Sequence, residues 1–492
     1  MFYIENLFEL EKNLGRYVSI LRTLSEQSGW YSCHFLAKKL NCSEKTIRRN
    51  IQEMNSQFPE NWFIQSEVRK GVQLHKPLHE SIYPIYRLFF QNTLTYQFLE
   101  AIYYENYQNV AEIAEELFIS VPIAYKIINT LSKNLAPLDL SISKKPIRII
   151  GNEENIRLFY YYVFSDISDY KSFFQEDERK RIISYIQQIE KLLGESFSIH
   201  FHYRAIYFIG ITVHRIHLKH RMMDTSHEHL VTNQNVLLSL LYVNEQIEAH
   251  ENIHLTPAEQ HWIIRVFFHH IPLHFGHNSN LRQTMLGTKS FLSLVQKLER
   301  EFEVDLQHDQ AFLDMTVRNI AFEHSHDLSQ DYLFLQDHHM HEFVLENYFN
   351  TYLQVKKNYN FFDAHHPMYQ VGTTRNIMDT VIFIITKKLQ FLARPQKAKI
   401  CILVTSRGDV WKNFLKASIE NYFGARILIR EVSSLIATDA SIWQDADFVI
   451  ADFDMTFDKI PNIIIDPIPT QRDFDNIERI LVTKEIKLSG VN

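Results

Sequence analysis

Lys38, Lys39, Lys45, Arg48, Arg49, Arg69 and Lys70 crowd one stretch of this chain, with few acids between them. Such a set can grip a polyanion. Arginine takes a guanine edge bidentately, whereas lysine and hydroxyl side chains mostly hold phosphate. Ile47, Ile51 and Met54 recur at i, i+4 and i+7 and predict the inward face of a helix capped by Ser43. Ser43, Lys45, Thr46, Arg48, Arg49 and Asn50 are then expected to face outward, as a recognition helix requires in a major groove. The bland alternative is a solvated basic helix in an ordinary bundle.

Histidine is abundant, at 25 residues. His250-Glu251-Asn252-Ile253-His254 has the HExxH spacing of zinc hydrolases, whose histidines share one face of a continuous helix. Leu255-Thr256-Pro257 follows at once and reads as an N-cap and a first helical Pro, so the match straddles a helix end. His214, His217 and His220, and His338, His339 and His341, read as surface histidines ahead of zinc ligands. Cys33, Cys42 and Cys401 form neither a disulfide framework nor a CxxC pair. Loop 405–408 lies between a strand and a helix N-terminus, where an anion is favoured. Cys401, however, falls inside the strand and is expected as a packed apolar residue. No Ser/His/Asp, Walker or GxGxxG arrangement is present. Neither catalysis nor a metal nor a cofactor is expected.

The elements around the basic face follow from periodicity. Leu14, Tyr17, Val18, Leu21 and Leu24 mark a helix over 14–27, and Ser32 caps a second through Leu40. Asn41-Cys42 is a tight break, and the Ser43 helix runs through Met54. Segments 62–64 and 72–74 are short strands joined by Arg69-Lys70-Gly71. Helix, helix, turn, helix and β-ribbon make a winged helix-turn-helix, with Arg69 and Lys70 on the wing. Segment 109–151 repeats the pattern: Ala114, Leu117 and Ser120 match Ala37, Leu40 and Ser43 at a constant offset of 77. Its strands are predicted over 138–142 and 147–150. Its third helix carries Val121, Pro122, Ile123, Ala124 and Tyr125 where the first has charges, so DNA contact there is expected only from Lys126 and from Lys144, Lys145 and Arg148 on the wing, with a structural spacer the equal alternative.

Residues 155–393 read as helices in two comparable stretches. Strands 399–404, 426–429, 448–451 and 463–465 alternate with helices in the tail, which predicts a small α/β domain with a largely parallel sheet. The 492 residues exceed one core. Gly and Pro are scarce, as in a mostly helical chain. The net charge of −7 opposes nucleic acid only if read globally, because binding depends on where charges sit. The N-terminal residues lack a signal pattern, and no uncharged apolar run reaches about 18 residues. A cytoplasmic location without membrane contact is expected.

The run GWYSCHFLAKKLNCSEKTIRRNIQEMN with its RKGVQL wing resembles the N-terminal module of the Mga/AtxA-like virulence regulators of Gram-positive bacteria. EIAEELFISVPIAYKIINTLSKNL and PIPTQRDFDNIERIL resemble that family's central module and C-terminus. The resemblance implies a multidomain, mostly α protein: winged helix-turn-helix modules at 1–78 and 79–154, all-helical phosphotransferase-type regulatory (PRD-like) domains at 155–285 and 286–394, and a small α/β EIIB-like domain at 395–492. It implies a transcription regulator acting on double-stranded promoter DNA as a homodimer through its C-terminal domain. It also implies modulation by a phosphotransferase-system phosphocarrier, for which His200 and His202 are the candidates. Tyr203 and Phe383 stand where a rough alignment places regulatory histidines. The competing expectation is a regulator working mainly through protein partners or a bound sugar phosphate.

Overall fold

The structure is a computed structural model. It describes residues 2–3, 7–194, 196–197, 199–222, 234–268, 288–324, 332–333, 335–366, 372–390, 398–431, 443, 445–453 and 460–482. The chain forms two compact units: residues 11–92 with 385–492, and residues 1–10 with 93–384.

In the unit holding 11–92, helices α1 (Leu14–Ser25), α2 (Cys33–Lys39) and α3 (Glu44–Asn55) precede an antiparallel hairpin of β1 (Phe63–Glu67) and β2 (Gly71–His75). Ser32 and Ser43 cap α2 and α3, accepting from the N–H groups of Phe35 and Thr46. Ile47, Ile51 and Met54 are buried, each contributing about 1.5–3 kcal/mol of hydrophobic stabilisation. The strands run longer than predicted, and Trp62 sits before them, its indole N–H donating to Glu80. Tyr31 pairs with Val72 through two backbone hydrogen bonds of 2.8 Å, fastening the wing to the start of α2. Helix α4 (Tyr83–Gln91) closes this module, Phe89 packing on Tyr17 and Phe58.

The same unit contains a parallel four-stranded sheet of order β8-β7-β5-β6, made from β5 (Lys399–Val404), β6 (Ile427–Glu431), β7 (Phe448–Ala451) and β8 (Asn462–Ile464). Helices α17 (Asp409–Phe423) and α18 (Gln471–Val482) join its core through Leu415, Ile419, Phe423 and Ile477. Strand β6 starts one residue later than predicted, because Gly424–Arg426 forms a 3-10 turn.

In the other unit, α5 (Leu94–Tyr104) leads into α6 (Val110–Glu116), α7 (Val121–Leu135) and an antiparallel hairpin of β3 (Ser141–Lys144) and β4 (Ile147–Ile150). Strand β3 starts three residues late, since Ala136–Leu138 is a 3-10 turn and Asp139 is left-handed at φ 54°. The longer helices that follow are α8 (Glu153–Ile167), α9 (Glu176–Leu193), α10 (Ile199–His217), α11 (Gln234–Glu251), α12 (Pro257–Phe268), α13 (Lys289–Phe302), α14 (Gln310–His324) and α15 (Leu335–His365), with α16 (Thr374–Gln390) spanning into the residues of the first unit. Among the described residues no helix is long and apolar enough to cross a membrane.

Candidate nucleic-acid interface

Burial of Ile47, Ile51 and Met54 turns the opposite side of α3 to solvent. The Arg48 and Arg49 side chains are 69% and 62% exposed; Lys45 is exposed as well. Arg48 lies 3.4 Å from Glu44 and Arg49 3.6 Å from Glu53, both i,i+4 pairs. Exposed pairs of this kind contribute about 0–1 kcal/mol, so either guanidinium can leave its carboxylate for a stronger partner. Ser43 spends its acceptor on the cap and also bonds the Thr46 hydroxyl at 2.9 Å. On the wing, Arg69 and Lys70 are exposed; Lys70 pairs with Glu67 at 2.6 Å and lies 5.3 Å from the Trp30 ring. Arg69 is left-handed at φ 72°, and Gly71 at φ 106°. A Cβ on Gly71 would meet the Tyr31 carbonyl oxygen at 2.1 Å, so only glycine permits this turn.

Asn50 corrects the sequence-based expectation. It is fully buried, and its Oδ1 accepts from Arg16 Nε at 3.1 Å. Position 50 falls beside the Ile47–Ile51 stripe, and its partner lies on α1, out of reach of any periodicity argument.

The second module repeats the backbone turn of the first. Cys42 N–H donates to Ala37 at 3.0 Å, and Ile119 N–H to Ala114 at 2.9 Å. Asn41 and Phe118 are both left-handed, at φ 48° and 52°. Ala124, Ile127, Ile128 and Leu131 face the core. Lys126, Lys144 and Lys145 are exposed, with Lys144 5.4 Å from the Tyr125 ring. Arg148, a further wing cation, turns inward to Glu105 at 3.7 Å.

The other chemistries weighed in the sequence find specific surroundings. Helix α11 ends at Glu251, so His250 closes it and His254 lies beyond. Glu251 accepts from Arg181 and Tyr185, and Thr256 with Glu259 forms a reciprocal capping box that starts α12. Cys401 is buried in β5, and that burial pushes its thiol far up, away from the thiolate a phosphotransfer nucleophile needs. His202 lies on α10 with its Nε2 3.4 Å from Glu190, and the Tyr203 hydroxyl donates to Ser165 and Ser168. The side chain of His200 and all of His338 and His339's side chains lie outside the described residues. Phe383 is buried against Phe312.

Two charged clusters escaped the sequence reading. In the larger unit, Arg215 reaches Glu105 and Glu153 at 2.7 Å each, Arg157 reaches Glu153 at 2.9 Å and Glu259 at 3.4 Å, and His220 reaches Glu105 at 2.9 Å. Burial alone would raise the Glu153 carboxyl, but Arg215 and Arg157 outweigh it and hold the group below its usual range. His214 packs against Tyr103 with the rings tilted, and its burial pushes it down to about 4, leaving the ring neutral near pH 7. In the unit holding 11–92, the Asp466 carboxylate accepts from the Ile82 N–H at the start of α4, Arg407 lies over the Tyr83 ring at 5.6 Å and beside Asp452, and the Ile464 N–H donates to the Leu78 carbonyl at 3.1 Å. The loop after β5, read as an anion loop, thus faces α4. Only the i,i+4 spacing of Glu153 and Arg157 was visible in the sequence.

Comparison with known proteins agrees with this geometry. Residues 11–70 match the M protein trans-acting positive regulator (MGA) HTH domain, and residues 78–164 the Mga helix-turn-helix domain. The chain is 24% identical to the capsule synthesis positive regulator AcpB of Bacillus anthracis over 96% of this chain and 99% of that protein. It is 25% identical to the capsule synthesis positive regulator AcpA of the same organism, over 95% and 99%. It is 22% identical to the anthrax toxin expression trans-acting positive regulator, also of B. anthracis, over 96% and 99%. The chain is thus similar to these positive regulators over nearly their whole length, and its N-terminal third matches both Mga-type helix-turn-helix domains.

Proposed function

We propose that this protein is a cytoplasmic transcription regulator that binds double-stranded promoter DNA through its two winged helix-turn-helix modules. One observation carries this: a complete helix-turn-helix leaves Lys45, Arg48 and Arg49 outward on the helix that enters a major groove, with Arg69 and Lys70 on the adjoining wing. Arg48 and Arg49 read base edges; Ser43, Lys45 and Thr46 hold phosphate; the wing reaches flanking phosphate or minor groove. In the second module Lys126, Lys144 and Lys145 take the phosphate contacts. The relatives' names describe positive regulators, which supports activation as the direction of control.

The helical stretches 155–285 and 286–394 serve as PRD-like regulatory domains and 395–492 as an EIIB-like domain through which two copies pair. Phosphotransfer to His200 or His202 modulates that state. Incubation with phosphotransferase-system enzymes labels one of the two; no label on any histidine removes this control. Chromatin footprinting with the wild type and an Arg48→Ala/Arg49→Ala variant tests the central function. Protected promoter sites appear with the first and fade with the second, and an unchanged footprint rejects the assignment.

A further inference from the structure

The second module exposes apolar side chains at the positions where the first exposes cations. With the offset of 77, Tyr125 stands at the place of Arg48, Ile123 at that of Thr46, Pro122 at that of Lys45, and Lys126 at that of Arg49. Val121, Ile123 and Tyr125 are exposed on the first turn and a half of α7, and Phe118 in the turn before it is 98% exposed. Phe118 is also left-handed, where a bulky side chain is a genuine outlier and where Asn41 in the first copy is at ease. The core of the module is served by the opposite face of α7, through Ala124, Ile127, Ile128 and Leu131. The outward patch is therefore an apolar surface that folding leaves in water.

Lys144 lies 5.4 Å from the Tyr125 ring, Lys126 follows Tyr125 on α7, and Lys145, exposed like both, follows Lys144 on the wing. An apolar centre with a cationic rim matches an apolar group set between phosphates. The major groove offers one such group, the C5-methyl of thymine, which apolar side chains contact. We infer that α7 reads thymine methyl groups, with Val121, Ile123 and Tyr125 against the methyls and Lys126, Lys144 and Lys145 on the flanking phosphates. The second module is then the part that selects A·T-rich duplex. This rests on the DNA-binding role proposed above. Glu115 and Glu116, exposed on α6 just before Phe118 in sequence, weaken the module's attraction for phosphate, so base contact carries more of its share.

The test uses full-length protein and two 40-base-pair A·T-rich duplexes of identical sequence, one with every thymine replaced by deoxyuridine. Deoxyuridine pairs as thymine does but lacks the methyl. The wild type binds the thymine duplex more tightly, by roughly fourfold per methyl contacted, the equivalent of one buried carbon. Val121→Ser/Ile123→Ser/Tyr125→Ser, all surface changes, abolishes that ratio and leaves the salt dependence of binding unchanged. Tyr125→Ser alone reduces it. Arg48→Ala/Arg49→Ala binds both duplexes more weakly and keeps the ratio. Equal wild-type affinity for the two duplexes overturns the inference while leaving the DNA-binding role intact, and so does a ratio that survives in the triple variant. Loss of self-association in the triple variant, seen by sedimentation with the ratio retained, assigns the patch to a second copy instead. Failure to bind either duplex sinks the DNA-binding role itself.

Discussion

At the scale of residues, exposed and buried arginines have opposite uses. Arg48 and Arg49 are held only by exposed carboxylates, so replacing them with alanine changes folding stability by no more than about 0.5 kcal/mol. Arg215 is different. It is 1% exposed and bridges Glu105 and Glu153, both nearly buried themselves. Arg215→Ala removes the buried cation shared by both carboxylates, leaving Glu153 to Arg157 and Glu105 to His220 and Arg148, and costs about 3–5 kcal/mol. Urea unfolding of the three proteins checks the contrast; comparable losses for Arg49→Ala and Arg215→Ala would contradict it. The sequence made the first pair legible because an outward cation opposite an aliphatic stripe is a local pattern. Arg215 stayed invisible because its partners lie 110 and 62 residues away.

At the scale of elements, caps and turns decide where the recognition helices begin. Ser43 bonds the Thr46 N–H, whereas Ser120 at the equivalent position makes no cap bond through its side chain. Ser43→Ala therefore destabilises its module by about 0.5–2 kcal/mol, and Ser120→Ala leaves its own nearly unchanged. Equal losses in thermal unfolding would show that the duplicated grammar is also duplicated in energy. The wing hangs on Gly71, since the close approach of Tyr31 excludes any Cβ. Gly71→Ala costs at least about 1–3 kcal/mol from the backbone conformation alone and forces apart the Tyr31–Val72 pairing. Loss of DNA affinity alongside stability is expected in a gel shift; a variant with wild-type stability would show that the turn tolerates a side chain. Helix order, both caps of the first module and the 77-residue repeat were readable because each is set by neighbours in sequence. The strand starts at Ser141 and Ile427 were missed because 3-10 turns consumed residues that looked strand-like. Asn50 was misplaced because a contact from α1 decides its burial.

At the scale of the whole molecule, residues 11–92 and 385–492 share one compact unit. A carboxylate at the join makes that unit sensitive to pH. Burial first, and then the neighbouring Asp473, raises Asp466 to about 7 against the opposing pull of Lys76, the Ile82 N–H and Arg472. The folded unit keeps a proton that the unfolded chain releases near its ordinary value of 3.8. Stability therefore falls as pH rises from about 4 toward about 7, and this contribution is flat beyond. Asp466→Asn copies the protonated form and flattens the dependence. Thermal unfolding followed from pH 5 to 8 checks this, and a midpoint that climbs over that range in the wild type but not in the variant would reverse the sign.

Equilibrium binding to a promoter-length duplex across a salt series, for the wild type and for Arg48→Ala/Arg49→Ala, tests the central claim most directly. The wild type loses affinity linearly in log salt with a slope of about −0.9 per phosphate contacted. The variant is weaker by about 1–3 kcal/mol for each base-reading contact removed. Superimposable isotherms for the two proteins, or a wild-type affinity indifferent to salt, would contradict the assignment of α3 as the element that reads DNA.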